Sequence, residues 1–221
     1  AVRISGKDSM MVNPDPEIQQ NTGYSQYDFL QKIRFAPTKD LDFTLNLQYS
    51  TSSKVYRYDK LNDYDDGKLK YAEWYYGPQN RLMAAFHATL LNENRFYNSA
   101  SITAAFQKID EDRHSRKFNI PKRLNQKEDV LVYSLNADFY KKLTDKHHLY
   151  YGLEGTYNYV NSVADISHMN EDYTLPAATR YPDGAKYMNA AAYVSYQYSL
   201  SEKLALLAGG RFTYTHMAAA I

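Results

Sequence analysis

The chain has 221 residues, contains no cysteine and carries a formal net charge of +1. A nearly neutral chain lacks the broad basic surface of a nucleic-acid-binding protein, and the absence of cysteine excludes a disulfide-stapled scaffold and a thiolate metal site. Tyrosine is unusually frequent, with 23 residues against 9 Phe and 1 Trp. No run reaches the ~18 apolar residues of a membrane helix. The first residues also lack the apolar core of a signal peptide, so the sequence is expected to follow a removed signal or to be a piece of a longer chain.

Eight segments of the chain alternate apolar and polar residues with a period of two, which predicts β-strands with one apolar and one polar face. Each segment is roughly ten residues or longer, against ~5–6 for a typical soluble strand. In chain order the apolar positions are Tyr27, Phe29, Ile33 and Phe35; Leu41, Phe43, Leu45, Leu47 and Tyr49; Leu82, Ala84, Phe86, Ala88 and Leu90; Ala100, Ile102, Ala104 and Phe106; Leu131, Tyr133, Leu135, Ala137 and Phe139; Leu149, Tyr151, Leu153, Gly155, Tyr157 and Tyr159; Ala190, Ala192, Val194, Tyr196 and Tyr198; and Leu204, Leu206, Ala208, Gly210, Phe212 and Tyr214.

The connections between these segments alternate between short and long. Tight polar turns are predicted at residues 37–40, 92–94, 144–146 and 201–203. Long loops are predicted at residues 53–71, 109–128 and 164–186. Outer-membrane barrels have this wiring, with short periplasmic turns and long extracellular loops.

The polar face of the predicted strands separates a membrane barrel from a soluble β-sandwich, whose strands also alternate. That face is mostly Ser, Thr, Asn and Gln with scattered charges, which suits a wet lumen. Tyrosines gather near the strand ends, as in the aromatic girdles at membrane interfaces. We therefore predict an all-β fold, an antiparallel up-and-down transmembrane β-barrel with about eight strands in this chain. The apolar faces are predicted to contact lipid, with Leu45 facing lipid and Asn46 facing the lumen.

Four stretches resemble the barrel of TonB-dependent outer-membrane receptors. They are "NTGYSQYDFLQKIRF" (21–35), "VYRYDKL" (55–61), "YAEWYYGPQNRL" (71–82) and "LALLAGGRFTYT" (204–215), of which the Trp-Tyr-Tyr-Gly-Pro-Gln run is the most specific. The family barrel has about 22 strands around a plug. The chain shows eight strands and ends in "THMAAAI", without a terminal aromatic residue. Residues 1–221 are therefore expected to be a partial outer-membrane β-barrel domain, with the plug domain and the remaining strands outside it.

The resemblance implies a receptor and transporter in the bacterial outer membrane that binds a scarce ligand outside the cell and imports it to the periplasm. The implied partners are the protein's own plug domain, TonB, outer-membrane lipid, and a small-molecule ligand such as an iron chelate, haem, a vitamin or a glycan. Neither a nucleic acid nor a cofactor is expected. The alternative is a complete small eight-stranded barrel with a structural or adhesive role through its long loops. Such barrels have interiors filled by side chains, which favours bulkier inward residues than those found.

Two sets of candidate site residues follow. In the first long loop, aromatic rings alternate with charged groups and are predicted to contact ligand: Tyr56, Arg57, Tyr58 and Asp59. On the polar faces of the strands, six residues are predicted to face the lumen and either contact the plug or pair with one another: Lys32, Arg34, His87, Asp138, Glu154 and Arg211. Trp74, Tyr75 and Tyr76 could stack on a ligand or belong to an interface girdle, and the girdle is favoured.

Metal and catalytic sites are not predicted. "NDYDDG" (62–67), with Glu73 beyond it, resembles a calcium loop, but Tyr64 stands where an oxygen ligand is needed. The adjacent His147 and His148 would point to opposite faces of a strand, which suits chelation poorly. No combination of nucleophile, base and carboxylate stands out, so the chain is not expected to be an enzyme.

Overall fold

A computed structural model describes residues 1–219, and most of them lie in β-strands. The strands are β1 Val2–Ile4, β2 Lys7–Ser9, β3 Gln26–Thr38, β4 Leu41–Ser52, β5 Val55–Tyr56, β6 Tyr64–Asp65, β7 Lys68–Leu69, β8 Tyr71–Tyr76, β9 Asn80–Leu91, β10 Ser99–Lys117, β11 Lys122–Lys142, β12 His147–His168, β13 Thr174–Pro176, β14 Ala185–Ser201 and β15 Leu204–Ala218; α1 is Tyr58–Leu61. No helix in the described range is long and apolar enough to cross a membrane. The last residues of "THMAAAI", on which the expectation of a partial barrel partly rests, lie outside that range.

The long strands form one antiparallel meander. Their order is β15-β14-β12-β11-β10-β9-β4-β3, so strands that follow one another in the chain are neighbours in the sheet. This confirms the predicted barrel fold. Within residues 1–219, β3 and β15 each have a long-strand neighbour on one side only, and the sheet does not close. The described residues thus do not form the closed eight-stranded barrel of the alternative hypothesis.

The strand register aligns the eight apolar sets on one face of the sheet. One cross-strand row runs through Ile33, Leu45, Phe86, Ala104, Leu135, Gly155, Ala190 and Tyr214. The next row runs through Lys32, Asn46, Ala85, Ala105, Ser134, Thr156, Asn189 and Thr215. We call the face of the first row the outer face and that of the second the inner face. Large apolar side chains such as Phe29, Leu135 and Phe212 are exposed across the outer face, an area that a soluble monomer rarely leaves uncovered and that lipid would cover.

All four short connections lie at one end of the sheet, as predicted. Residues 39–40, 143–146 and 202–203 close three hairpins, and residues 92–98 close the fourth. The fourth connection is longer than the predicted 92–94, because its outer residues form backbone hydrogen bonds from Asn92 to Asn98 and from Asn94 to Tyr97. We call this end the short-turn end and the opposite one the long-loop end.

The predicted long loop at residues 109–128 is wrong. β10 and β11 remain paired from Asp110 opposite Asp129 to Arg116 opposite Arg123, and only residues 118–121 turn. The alternation of apolar and polar residues disappears in this region because both faces of the hairpin are polar. The backbone ladder nevertheless continues. The loop predicted at 164–186 is likewise shorter, because β12 runs to His168 and β13 pairs with it.

The outer face changes character part-way along β10. Ala100, Ile102, Ala104 and Phe106 are followed on the same face by Lys108 and Asp110. On β11 the outward apolar set from Leu131 to Phe139 covers roughly 26 Å at ~3.3 Å per residue, the scale of the ~25 Å apolar band of membrane barrels. The parts of β10, β11 and β12 beyond this band therefore extend past the lipid at the long-loop end.

Candidate functional site

The connection between β4 and β9 is an ordered layer at the long-loop end. β8, with the sequence YAEWYY, is rich in residues that favour strands. It pairs with β10 beyond the last position that β9 reaches, so that Tyr76 is opposite Arg113 and Glu73 is opposite Arg116. β5 then pairs with β8. The loop residues are thus held by backbone ladders that continue the sheet of the barrel wall.

Trp74 is the centre of an aromatic and cationic cluster in this layer. Its side chain is only 3% exposed. The guanidinium carbons of Arg57 and Arg113 lie 5.0 and 4.7 Å from its ring centroid, and the ring of Tyr76 meets it edge-on at 4.9 Å. A cation over an aromatic face contributes about 0.5–2 kcal/mol, depending on desolvation. These contacts hold the loop against β10.

The interpretation of Trp74, Tyr75 and Tyr76 as an interface girdle is wrong. Trp74 and Tyr75 are buried, and their strand pairs with residues of β10 that lie beyond the lipid-facing band. Tyr75 stacks on His114, with 4.7 Å between ring centroids. The rings therefore stabilise the loop layer and do not line the lipid interface.

Of the four residues predicted to contact ligand, two form an ion pair and two are exposed tyrosines. Arg57 donates to both carboxylate oxygens of Asp59, from Nε at 2.8 Å and from Nη2 at 2.6 Å. These bonds raise the pKa of Arg57 and lower that of Asp59 to about 2. Tyr56 and Tyr58 are 37% and 40% exposed, so their rings are accessible. The structure brings the four residues together at the long-loop end, and their contact with a ligand stays a prediction.

The six predicted lumen residues all lie on the inner face. Arg34, His87 and Glu154 share one cross-strand row. Arg34 pairs with Asp42, whereas Nδ1 of His87 lies 2.8 Å from the Thr103 hydroxyl. The hydroxyl of Thr89 lies 3.1 Å from the other ring nitrogen of His87. Several of these polar groups therefore find partners within the wall itself, and their contact with a plug stays a prediction.

A second inner-face group joins Asp138, Glu154 and Arg211 through Tyr193, a residue that the sequence analysis missed. The hydroxyl of Tyr193 donates to the carboxylate of Asp138 across the intervening strand. The Arg211 guanidinium carbon lies 5.9 Å from the Tyr193 ring, and its Nη2 donates to Glu154 at 2.8 Å. The glycine at position 152, between Asp138 and Tyr193 in the register, was the available signal, because glycine inside a strand marks a close approach.

The amino-terminal hairpin β1–β2 is attached to the tip of the β10–β11 hairpin. Arg116, 3% exposed, donates from Nη1 and Nη2 to the two carboxylate oxygens of Asp8 at 2.6 and 3.0 Å. It also donates from Nε to Glu73 at 2.7 Å. The backbone N–H of Asn119 donates to Asp8 at 2.7 Å. We call the contacts of Asp8 with Arg116 and Asn119 the latch, which joins two segments more than 100 residues apart in sequence.

The sequence that resembles a calcium loop forms a hairpin turn. β6 and β7 pair, and the two residues between them, Asp66 and Gly67, have φ values of 49° and 72°. Asp-Gly is the preferred pair for such a two-residue turn, so the dipeptide reflects backbone geometry. Within residues 1–219, no group of three or more His, Asp or Glu side chains could hold a metal ion.

The comparison that decides the family covers almost the whole chain. Residues 12–219 match the family described as TonB dependent receptor-like, beta-barrel. The chain belongs to this family. A search of curated proteins finds no match to this TonB-dependent receptor barrel.

A solved structure titled "Copper transporter OprC" is similar to this chain, with a TM-score of 0.64 and 12% sequence identity. The match covers 89% of this chain and 31% of that one. At this identity the likeness shows the shared fold. The chain thus spans about a third of the length of that structure.

TonB-dependent receptors of this family lie in the bacterial outer membrane, and the family in general works with a plug domain, TonB and a small-molecule ligand. The apolar outer face of this receptor barrel fits that location, because the lipid covers the exposed side chains. The two sets of candidate residues lie in different parts of the receptor barrel. The loop set lies at the long-loop end, and the inner-face set lies along the wall.

Proposed function

We propose that this chain forms part of the wall of a TonB-dependent importer, which binds a scarce ligand outside the cell and delivers it to the periplasm. The observation that carries the proposal is the common register of the long strands, which separates a continuous apolar outer face from a polar inner face. An ordered loop layer with exposed aromatic rings continues this wall beyond the lipid. The chain would contribute binding and passage, without covalent chemistry.

The proposed importer needs a closed barrel and a plug, whereas residues 1–219 form an open sheet. We propose that the remaining strands and a plug domain come from the rest of a longer protein, and that residues 1–221 are a partial barrel domain. The short-turn end would face the periplasm and the long-loop end the exterior, as in other outer-membrane barrels. Ligand would bind the loops and the plug, and energy transmitted through TonB would shift the plug. Inner-face groups such as Lys32 and His87 would then contact the plug.

The ligand proposed for this part of the protein is a small molecule that can stack on aromatic rings. Tyr56 and Tyr58 are the exposed rings of the predicted set, and the Arg57–Asp59 pair lies between them in sequence. A flat or ring-bearing ligand, such as a chelate, haem or a vitamin, would cover such rings. The similar structure is titled a copper transporter, and at 12% identity that title assigns no ligand to this chain.

Uptake by cells tests the proposal. A strain without the gene, complemented with the full-length protein, is supplied with labelled iron chelates, haem, cobalamin and oligosaccharides, with and without a functional TonB. At least one compound should accumulate only when both proteins are present. Accumulation that is the same without TonB would overturn the import mechanism.

Two variants of the full-length protein test the stacking residues. Replacing Tyr56 and Tyr58 by Ala should weaken binding of the imported compound by about 5–150-fold, the effect of losing two ring contacts of about 0.5–1.5 kcal/mol each. Tyr64→Ala is the matched control, because Tyr64 lies in the same loop and is exposed. Equal affinity of the double variant and the control would exclude Tyr56 and Tyr58 from the site.

A further inference from the structure

The segment between β13 and β14 leaves the sheet at a gap in the ladder of β12. β14 pairs with β12 as far as Val160, and β13 resumes the pairing at Asp165. Among the described residues, positions 161–164 of β12 have a strand partner on β11 but none on the opposite side. Residues 177–184 connect the two partner strands across this gap, and we call them the gate segment.

The gate segment satisfies the backbone groups that the gap leaves open. The backbone N–H of Ser162 donates to the carboxylate of Asp183 at 2.9 Å, so a side chain replaces the missing strand. At its two ends, Ala177 donates to the carbonyl of Ala164 at 3.0 Å and Gly184 donates to the carbonyl of Val160 at 2.9 Å. Buried backbone donors must find such partners, so both ends of the segment are fixed to β12.

The residues between the two ends fold onto the inner face of the sheet. Arg180 places Nη1 3.4 Å from Oε1 of Glu111 and 3.5 Å from Oε2 of Glu128. Gln126 donates from Nε2 to the carbonyl of Ala178 at 3.3 Å. Glu111 and Glu128 are direct cross-strand partners. Glu128 and Gln126 lie on the inner face with Asp138, because the pairing of β11 with β10 has no register shift between them. The gate segment therefore lies on the lumen side of the wall, at the long-loop end.

Burial shows what the segment covers. Glu128 is 4% exposed and Ser162 is 2% exposed, which is unusual for polar side chains on the inner face of an open sheet. Burial raises the pKa of Glu128, and the charge of Arg180 opposes this shift. Two glutamates placed directly opposite each other repel, and Arg180 offsets that repulsion. The guanidinium thus favours the inward position of the segment, together with the hydrogen bond from Gln126 to the Ala178 carbonyl.

We propose that the gate segment is an inward-folded gate at the outer mouth of the transport path, and that the ion pairs of Arg180 with Glu111 and Glu128 hold it closed. The inference rests on the proposed function, because a gate matters only if ligand passes along the inner face. The two ends, Ala177 and Gly184, stay attached to β12 while the middle swings. Arg180 is itself 25% exposed, so its ion pairs can exchange with water or with an incoming charged group. Opening uncovers Glu128 and Ser162.

Thiol labelling of the full-length protein measures this opening. Residues 1–221 contain no cysteine, so a thiol found in this region is the introduced one, and its labelling is read on the peptide that carries it. Ser162→Cys places the reporter beneath the gate segment. Val163→Cys is the matched control, because Val163 is the next residue, points to the outer face and is 59% exposed. Both variants are treated in intact cells with a charged, water-soluble maleimide, and the labelling rates are compared.

The expected result is slow labelling at position 162 and fast labelling at position 163. Adding Arg180→Ala should accelerate labelling at 162 by about tenfold or more, because labelling of a buried site follows the population of the locally open state. The rate at 163 should stay unchanged. Arg180→Lys keeps the charge and should accelerate labelling at 162 by less than Arg180→Ala.

Two outcomes would overturn the gate. One is a rate at position 162 that does not respond to Arg180→Ala. The other is an equal acceleration at 162 and 163, which would show that Arg180 supports the whole wall. Glu111→Gln gives a second route if the Arg180 variants fold poorly, and it should also accelerate labelling at 162 alone. Labelling requires no uptake, so the two proposals can fail separately. If the labelling rates change as expected but no compound is imported, the proposed function is contradicted and the movement of the segment is still supported.

Discussion

Tyr193 extends over Gly152 and donates its hydroxyl hydrogen bond to Asp138, two strands away on the inner face. A Cβ atom at position 152 would lie 2.5 Å from the carbonyl oxygen of Ala137 and would overlap the Tyr193 side chain. The contact between Tyr193 and Asp138 therefore requires a residue without a side chain at position 152. The same contact positions Tyr193 beneath the Arg211 guanidinium.

Gly152→Ala is expected to destabilise the folded barrel by about 1–3 kcal/mol, because the added methyl group overpacks a site bounded by backbone. Urea unfolding of the full-length protein in lipid vesicles measures the change. Gly155→Ala is the control on the same strand, since a Cβ there meets no atom within 4 Å. An effect of similar size at both positions would show that strand propensity, and not the Tyr193 crossing, sets the cost.

The two faces of β4 predict opposite responses to a charge. Leu45 lies on the outer face in mid-strand, whereas Asn46 lies on the inner face. Leu45→Arg should cost about 2–4 kcal/mol, the penalty for a cation on the lipid face near mid-depth, and Asn46→Arg should cost much less. Refolding equilibria in vesicles give both values.

Spin labels at the same two positions test the assignment of the faces independently of stability. In the membrane-embedded protein, a label at 45 should be reached by oxygen dissolved in lipid and not by a water-soluble relaxation agent. A label at 46 should show less contact with oxygen. Water contact at both positions would contradict the lipid-facing assignment.

Asp8→Asn should release the amino-terminal hairpin from the barrel wall. The substitution removes the carboxylate that Nη1 and Nη2 of Arg116 bind and leaves the guanidinium paired with Glu73 alone. The loss of hydrogen bonds to a charged group should cost about 1.5–3 kcal/mol. Limited trypsin digestion should then cut faster after Arg3, which lies on β1 and is not next to the substitution, because β1–β2 no longer packs on the hairpin tip. Asp15→Asn is the control, since Asp15 is exposed and accepts a hydrogen bond from Glu17 within the same segment. Equal cutting in the two variants would mean that the latch does not hold the hairpin.

The latch should also weaken at low pH. Burial acts to raise the pKa of Asp8, but hydrogen bonds from Arg116 and the Asn119 amide outweigh it and lower the pKa below 3.8. An acid with a lowered folded pKa gives stability that is complete above its unfolded pKa and is lost as pH falls through the folded value. Hydrogen exchange of the β1–β2 amides, corrected for intrinsic rates, should therefore be constant above pH 3.8 and accelerate below it. Constant protection down to about pH 2 would exclude Asp8 as the titrating group.

The sequence predicted the parts of the fold in which one face is apolar. Leu45 and Asn46 lie on opposite faces of the sheet, as the alternation predicts, because a period of two is visible wherever an apolar face backs a polar one. The signal fails from Asp110 to Arg116, where ion pairs and a backbone ladder replace the apolar face. It also fails for Asp8 and Arg116, because a contact across so many residues has no local pattern.

The candidate site could be predicted only in part, because contacts between residues distant in sequence leave no local pattern. Arg57 and Asp59 are close in sequence, so their grouping is local. The Trp74 ring packs under Arg113, which lies on β10 in a stretch where the residue pattern predicts a loop. The inward fold of Arg180 depends on a gap in the ladder of β12, and no composition or period marks such a gap.

The extension of β10 and β11 beyond the lipid has one further consequence. The turn at residues 118–121 is joined to the membrane-embedded wall by an uninterrupted ladder, so it should move with the barrel as one rigid body. A fluorophore attached there would tumble on the slow timescale of the whole protein in its bilayer, not on the ns–μs timescale of a free loop. The polarisation of the light that this dye emits would therefore report the rotation of the receptor in the outer membrane of living cells.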